Sequence, residues 1–216
     1  MEDKKILGID EAGRGPVIGP MVICGALIKE DKIAELDRLN PVDSKKLSST
    51  KREAFRKELV KLLDGYQLIV IDPVEIDKYV IRNRLNYLEI NKISSIINYF
   101  KPNIVYVDSP LINTSKLANM IKSKLDYKPH IISENRAERY RIVAAASILA
   151  KTKRDQLISA LKDNYGELGS GYCHDPKTLS FLKYWVQNNR NLPDIVRKSW
   201  FTSKKALNQL LQKTLF

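Results

Sequence analysis

Asp10, Glu11 and Asp108 stand where structural acids are uncommon. Each closes an apolar run: Lys5-Ile6-Leu7-Gly8-Ile9 leads into Asp10-Glu11, and Ile104-Val105-Tyr106-Val107 leads into Asp108. Residues at the ends of neighbouring strands can point into one cleft, which acids scattered over surface helices do not. Carboxylates crowded together in their ionised form repel each other. A divalent cation relieves that repulsion, and hard oxygen donors suit Mg²⁺ or Mn²⁺. Cys24, Cys173, His130 and His174 show no zinc-type spacing. Read singly, a strand-end Asp is a turn former or a cap. The surroundings change that reading, because Gly13-Arg14-Gly15-Pro16 follows the acid pair almost at once. Two residues without Cβ let the backbone approach a ligand closely. The guanidinium between them suits a phosphate or a nearby acid.

These residues need a sheet to carry them. Lys5–Asp10 and Met21–Ile28 read as strands joined by a turn rich in Gly and Pro. So short a link favours an antiparallel pair, since a parallel pair needs a crossover. Tyr66–Asp72 reads as a third strand ended by Pro73, Ile104–Asp108 as a fourth broken by Pro110, and His130–Ser133 as a short fifth. Helical spacing runs through Phe55, Leu59, Leu62 and Leu63, behind a capping-box pattern at Thr50-Lys51-Arg52-Glu53. It recurs between Arg84 and Phe100, and again through Leu117, Ile121 and Leu125 with Thr114 as cap. An alanine-rich helix is expected from Tyr140 to Leu161. Beyond Gly166 the texture changes. A loop, Gly169-Ser170-Gly171-Tyr172, precedes the helix-start signature Asp175-Pro176, and Thr178–Asn189 and Thr202–Leu211 read as helices. The expected architecture is α/β: a mixed five-stranded sheet flanked by helices over residues 1–165, then a small helical appendage over 166–216.

Composition sets the outer limits. The 216 residues are 44% hydrophobic and 29% charged, which excludes a disordered chain. No run approaches the ~18 apolar residues of a membrane span, and Met1-Glu2-Asp3-Lys4-Lys5 does not open a signal peptide. A soluble cytoplasmic protein is expected. Two distant cysteines make no disulfide framework. Lys and Arg outnumber Asp and Glu by 37 to 25, a net charge of +12. That balance permits a polyanionic partner without proving one. Lys45, Lys46, the helix bearing Lys51, Arg52, Arg56 and Lys57, and the pairs Arg197-Lys198 and Lys204-Lys205 are the expected carriers of a basic surface.

The chain resembles the type 2 ribonuclease H family, ribonuclease HII, in its archaeal form. Five blocks carry the resemblance in order: Gly8-Ile9-Asp10-Glu11-Ala12-Gly13-Arg14-Gly15-Pro16 with Ile18-Gly19-Pro20-Met21; Asp43-Ser44-Lys45-Lys46-Leu47; Val107-Asp108; Ala145-Ala146-Ser147-Ile148-Leu149-Ala150-Lys151 with Arg154-Asp155; and Gly169-Ser170-Gly171-Tyr172 with Asp175-Pro176-Lys177-Thr178. The resemblance implies a ribonuclease H-like fold. It implies cleavage of RNA within RNA–DNA hybrids, and incision 5′ of a single ribonucleotide in duplex DNA. Asp10, Glu11 and Asp108 match three of the family's four metal-holding carboxylates. The fourth falls in a stretch that is one residue short of the family pattern, with Arg141 in place of a Pro. A gapless count from Ser147 lands on Ala137. Glu138 is preferred, because its extra methylene can absorb the deletion, with Asp155 and Glu134 as alternatives.

The same resemblance assigns the backbone of Gly13, Arg14 and Gly15, and the ring of Tyr172, to the ribonucleotide, whose 2′-hydroxyl distinguishes RNA from DNA. It assigns Lys45 and Lys46 to backbone phosphate. Two Mg²⁺ or Mn²⁺ ions about 4 Å apart would flank the scissile phosphate. Products with a 3′-hydroxyl and a 5′-phosphate are expected. The C-terminal Gln212, Leu215 and Phe216 resemble a truncated sliding-clamp-binding motif, although an amphipathic terminal helix with apolar ends is the favoured reading of them. A monomer is expected. A non-catalytic binding module and a junction resolvase are the rival classes. The first would not need Asp10 and Asp108 together, and the second would not need Gly-Arg-Gly with Tyr172.

Overall fold

The computed structural model describes residues 4–42, 44 and 47–213, with side chains to residue 209. It divides into two compact units that alternate along the chain. The first comprises the strand ending at Ala12, Val22–Ile69 and Asn86–Lys153. The second comprises Gly13–Met21, Val70–Leu85 and the chain from Arg154 onward.

The first unit is built on the expected mixed sheet. Its strands are β1 (Lys5–Ala12), β2 (Met21–Lys29), β3 (Gly65–Ile71), β4 (Ile104–Asp108) and β5 (His130–Glu134). They lie in the order β3-β2-β1-β4-β5. The short-linked pair β1 and β2 is antiparallel, while β1–β4 and β4–β5 are parallel. β1 and β2 are buried almost end to end, as central strands covered on both faces must be.

Two helices supply that cover. Gly8 takes the start of α6 (Arg141–Tyr165): a Cβ there would lie 2.4 Å from the Ile142 backbone. On the other face, Ile96 of α4 (Leu85–Phe100) lies against Gly25, which pairs with Ile9. Side chains alternate along a strand. Gly8 and Asp10 therefore face α6, and Ile9 and Glu11 face α4. Also here are α1 (Ile33–Leu39), α2 (Ser49–Leu62) and α5 (Thr114–Lys122), the last packed beside β5.

Several local expectations shift. α2 is capped by Ser48, which accepts from the Lys51 amide, and not by Thr50. α5 is capped by Asn113, not Thr114. Pro73 does more than end a strand. Asp72 accepts from the Glu75 amide and Pro73 opens an unforeseen helix, α3 (Pro73–Val80). α1 was likewise not anticipated.

The second unit has its own core. Val17, Ile18, Leu168, Phe181, Leu182, Val186, Leu192 and Val196 are buried together, with Trp185 and Trp200 against them. Each fully buried side chain of this size contributes about 1.5–3 kcal/mol. α7 (Pro176–Asn189) starts where Asp175-Pro176 places it, and α8 (Phe201–Lys213) packs on it. The appendage expected from residue 166 lies inside this unit, which also holds Gly13–Met21 and Val70–Leu85.

Candidate active site

Strand register brings two of the acids together. Ile9 pairs with Val107 in the parallel β1–β4 ladder, so Asp10, two residues before the end of β1, lies beside Asp108 at the end of β4. On the far side of β4, Asp108 pairs with Glu134. Between β5 and α6 lies one 3₁₀ turn, Ala137–Arg139, entered through Arg136 in the left-handed region at φ 58°. Its first amide, from Ala137, donates to Asp108 Oδ1 at 2.8 Å. Its second residue is Glu138.

Asp10 is 5% exposed. The Glu11 amide donates to its Oδ1 at 2.7 Å, and the Ser147 hydroxyl of α6 also hydrogen-bonds the carboxylate. Ser147 in turn meets Ser44 Oγ at 2.9 Å. Arg52 of α2 donates to the carbonyls of Ser44, at 3.1 Å, and Leu47. A hydrogen-bonded path thus runs from α2, through the 44–47 segment, to Asp10. Arg52 is buried in this role and does not belong to the basic surface. Lys45 and Lys46, on the same segment, lie outside the described residues, as does Asp43.

The charges are under strain. Burial, and then the charges of Asp108 and Glu138, push Asp10 up to about 8 against the pull of Ser147 and the Glu11 amide. Burial also pushes the Cys24 thiol up, with a further push from Asp10, so this cysteine is a core residue. Glu11 reaches Asp10 through its backbone, while strand alternation sends its side chain to the α4 face. Glu134 is engaged elsewhere. It pairs with Arg139 and accepts from the Tyr140 hydroxyl at 3.2 Å, and the Tyr140 ring packs on Tyr106 at 4.4 Å. The charge of Asp155 acts on Arg154.

This donor set suits a hard divalent cation: all oxygen, with a repulsion that a cation would relieve. Among the described residues, however, no three His, Cys, Asp or Glu side chains stand gathered around one ion position.

The second unit contains the glycine-rich turn and Tyr172. Gly13 has φ +86°, and a Cβ on it would lie 2.3 Å from Arg154 Nε and 2.8 Å from the Pro20 carbonyl. Gly15 is the opposite case, exposed and with open space where a Cβ would project. Among the described residues nothing crowds a side chain there. The Gly171 carbonyl accepts from the amides of Val17 and Ile18 at 2.8 and 3.1 Å, which ties the loop before Tyr172 to the turn. Arg154 lies over the Tyr172 ring at 5.3 Å, and His174 lies beside that ring at 5.6 Å. Asp175 anchors the loop by accepting from the Ser170 amide and hydroxyl, both at 2.6 Å.

Comparison with known proteins decides the family. The family model described as Ribonuclease HII matches residues 7–203. The chain belongs to the ribonuclease HII family. It is 43% identical to ribonuclease HII of Pyrococcus abyssi over 204 residues, covering 93% of this chain and 90% of that one. Its structure is similar to that of ribonuclease H2 from Pyrococcus horikoshii OT3, with TM-score 0.90, 40% identity, and 96% and 99% of the two chains covered. It is also similar to ribonuclease HII of Archaeoglobus fulgidus in a structure of its complex with PCNA, with TM-score 0.82, 35% identity, and 93% and 96% coverage.

A ribonuclease HII is a hydrolase, an endonuclease acting on the RNA of RNA–DNA hybrids. Among the described residues no helix is long and apolar enough to cross a membrane. For a ribonuclease HII of this sequence, two buried groups escaped sequence reasoning. Ser44 and Ser147 were visible only as members of matching blocks. Arg197 was assigned to the basic surface, yet it is fully buried. Nothing local marks it, because its partners lie near residue 15.

Proposed function

We propose that this ribonuclease HII incises duplex DNA on the 5′ side of a single embedded ribonucleotide, besides cutting hybrids, and leaves 3′-hydroxyl and 5′-phosphate ends. The observation that carries the hydrolytic part is the side-by-side placement of Asp10 on β1 and Asp108 at the end of β4, with the charge of Glu138 acting on Asp10. Asp10, Asp108 and Glu138 would hold Mg²⁺ or Mn²⁺, with Glu11 reaching around the strand end. Bound there, divalent cations would supply an activated water and neutralise charge on the leaving oxygen. Ser147 fixes the orientation of Asp10, and the Ala137 amide fixes that of Asp108.

Selectivity is assigned to the second unit. The open space at Gly15 leaves room for a sugar to approach the backbone of Gly13, Arg14 and Gly15. Tyr172 offers a flat face and a hydroxyl to the same sugar. Lys45 and Lys46 would hold phosphate near the cut. The C-terminal Gln212, Leu215 and Phe216 would dock on a sliding clamp; their side chains lie outside the described residues. The chain would act as a monomer in the cytoplasm, in removal of ribonucleotides during DNA replication and repair.

The test is a DNA duplex carrying one ribonucleotide, incubated with Mg²⁺, Mn²⁺ or EDTA. Metal-dependent cutting 5′ of the ribonucleotide, with ends that a ligase accepts, is expected. A 2′,3′-cyclic phosphate, or binding without cutting, would overturn the proposal.

A further inference from the structure

The carbonyls of the Gly13–Gly19 turn converge on buried donors. Arg197, with none of its surface exposed, donates from Nη2 to the Gly13 carbonyl, from Nη1 to Arg14 at 2.7 Å, and from Nε to Gly19 at 3.1 Å. Trp200 Nε1 donates to the Gly15 carbonyl at 3.0 Å, and the Arg197 guanidinium lies 4.9 Å from the Trp200 ring centre. Arg154, 1% exposed, donates to the Ile18 and Ser170 carbonyls at 3.3 and 3.5 Å. Arg197 is itself pinned: its amide donates to Val17 at 2.8 Å and its carbonyl accepts from Ser203 at 2.7 Å. Among the described residues, neither guanidinium forms an ion pair with a carboxylate. Burial and the neighbouring Arg154 pull Arg197 down to about 9, still charged at neutral pH.

A buried cation that touches no carboxylate is costly, though the charge of Asp77 acts in its favour. The guanidinium offsets that cost by satisfying three backbone carbonyls that an apolar side chain would leave without donors. It also supplies orientation. In a trans peptide the carbonyl of one residue and the amide of the next point in opposite directions. With the Gly13 and Arg14 carbonyls turned onto Arg197, the amides of Arg14 and Gly15 are directed the other way. Two successive amides on one side form a concavity suited to an anion or a hydroxyl. A cation at the carbonyl end of each peptide also polarises its amide and strengthens it as a donor.

We infer that Arg197 is a positioning residue for ribonucleotide recognition: it fixes the 13–15 backbone so that the Arg14 and Gly15 amides face the sugar 2′-hydroxyl and the adjoining phosphate oxygen. This rests on the proposed reading of the ribonucleotide by that turn. Only the planar fork of an arginine reaches three carbonyls at once, so lysine keeps the charge and loses the geometry.

The experiment compares the full-length wild type with Arg197→Lys and Arg197→Ala. Amide chemical shifts and relaxation at Arg14 and Gly15 are followed by NMR, and kcat/KM is measured on a single-ribonucleotide duplex and on a long hybrid. In Arg197→Lys, shifted and more mobile amides are expected at those two positions, with the single-ribonucleotide preference reduced about tenfold, the scale of one lost hydrogen bond. Millimolar guanidinium should restore part of that preference to Arg197→Ala, which mere destabilisation of the fold would not produce. Should Arg197→Ala fail to fold, Arg197→Lys carries the test. Amides with unchanged shifts and mobility overturn the inference. Displaced, mobile amides with the preference unchanged leave Arg197 holding the turn and overturn the reading of the ribonucleotide by that turn.

Discussion

Ser44 and Ser147, 103 residues apart in the chain, meet hydroxyl to hydroxyl at 2.9 Å. A serine has one proton to donate. If Ser147 gives its proton to the Asp10 carboxylate, Ser44 must donate to Ser147. Ser44 is therefore linked through Ser147 to Asp10. Ser147→Ala removes a hydrogen bond that favours ionised Asp10. The Mg²⁺ concentration for half-maximal activity at pH 7 should rise about tenfold, and the acid limb of the pH–rate profile should move to higher pH. Unchanged metal dependence would remove Ser147 from the positioning role.

Asp10 also makes stability depend on pH when metal is withheld. Its ordinary value is 3.8 and its folded value is about 8. Between those limits the folded state holds a proton that the unfolded state has released. Stability is therefore full below the lower value and falls as pH rises through the upper one. Thermal melts in EDTA should show this decline, and Asp10→Asn should flatten it, with its largest gain at pH 8 and little at pH 4. Saturating Mg²⁺ should also flatten the wild-type decline.

Glu138 lies within the 3₁₀ turn and Glu134 ends the strand before it. Glu138→Gln is expected to lower kcat by at least about a hundredfold, the range for loss of a group acting on the transition state. Glu134→Gln breaks an exposed ion pair with Arg139, worth at most about 1 kcal/mol. Its activity should stay within a few-fold of wild type. The reverse ranking would move the fourth carboxylate to Glu134.

The two glycines of the turn should separate structure from recognition. Gly13→Ala puts a Cβ onto Arg154 and the Pro20 carbonyl at a positive φ. A loss of about 1–3 kcal/mol is expected. Gly15→Ala meets nothing, so its melting temperature should match wild type while single-ribonucleotide cleavage falls. Tyr172→Ala should likewise lose more on a single ribonucleotide than on a long hybrid. Equal losses on both would end the assignment of Tyr172 to the junction.

How legible all this was depended on the reach of each signal. Asp10 and Asp108 stood out because each ends an apolar run, and strand register did the rest. Asp175-Pro176 reads as a helix start, while Asp72-Pro73, the same dipeptide with an Asp that also caps a helix, reads as the end of a strand. The preceding Leu68-Ile69-Val70-Ile71 run masked it. Ser48 and Asn113 cap where Thr50 and Thr114 were expected, an ordinary uncertainty at helix ends. Arg197 and Arg52 looked like surface charge because composition counts a cation without seeing its acceptors. Those acceptors are backbone carbonyls, which have no letter in the sequence.

The alternation of the two compact units along the chain has a practical consequence. Val17 and Ile18 belong to the core that α7 and α8 complete, yet their segment follows the acid pair of β1 directly. A fragment beginning at Arg154 would lack that part of its own interior, and one ending at Lys153 would carry it with nothing to cover it. The second unit therefore does not detach as a C-terminal module.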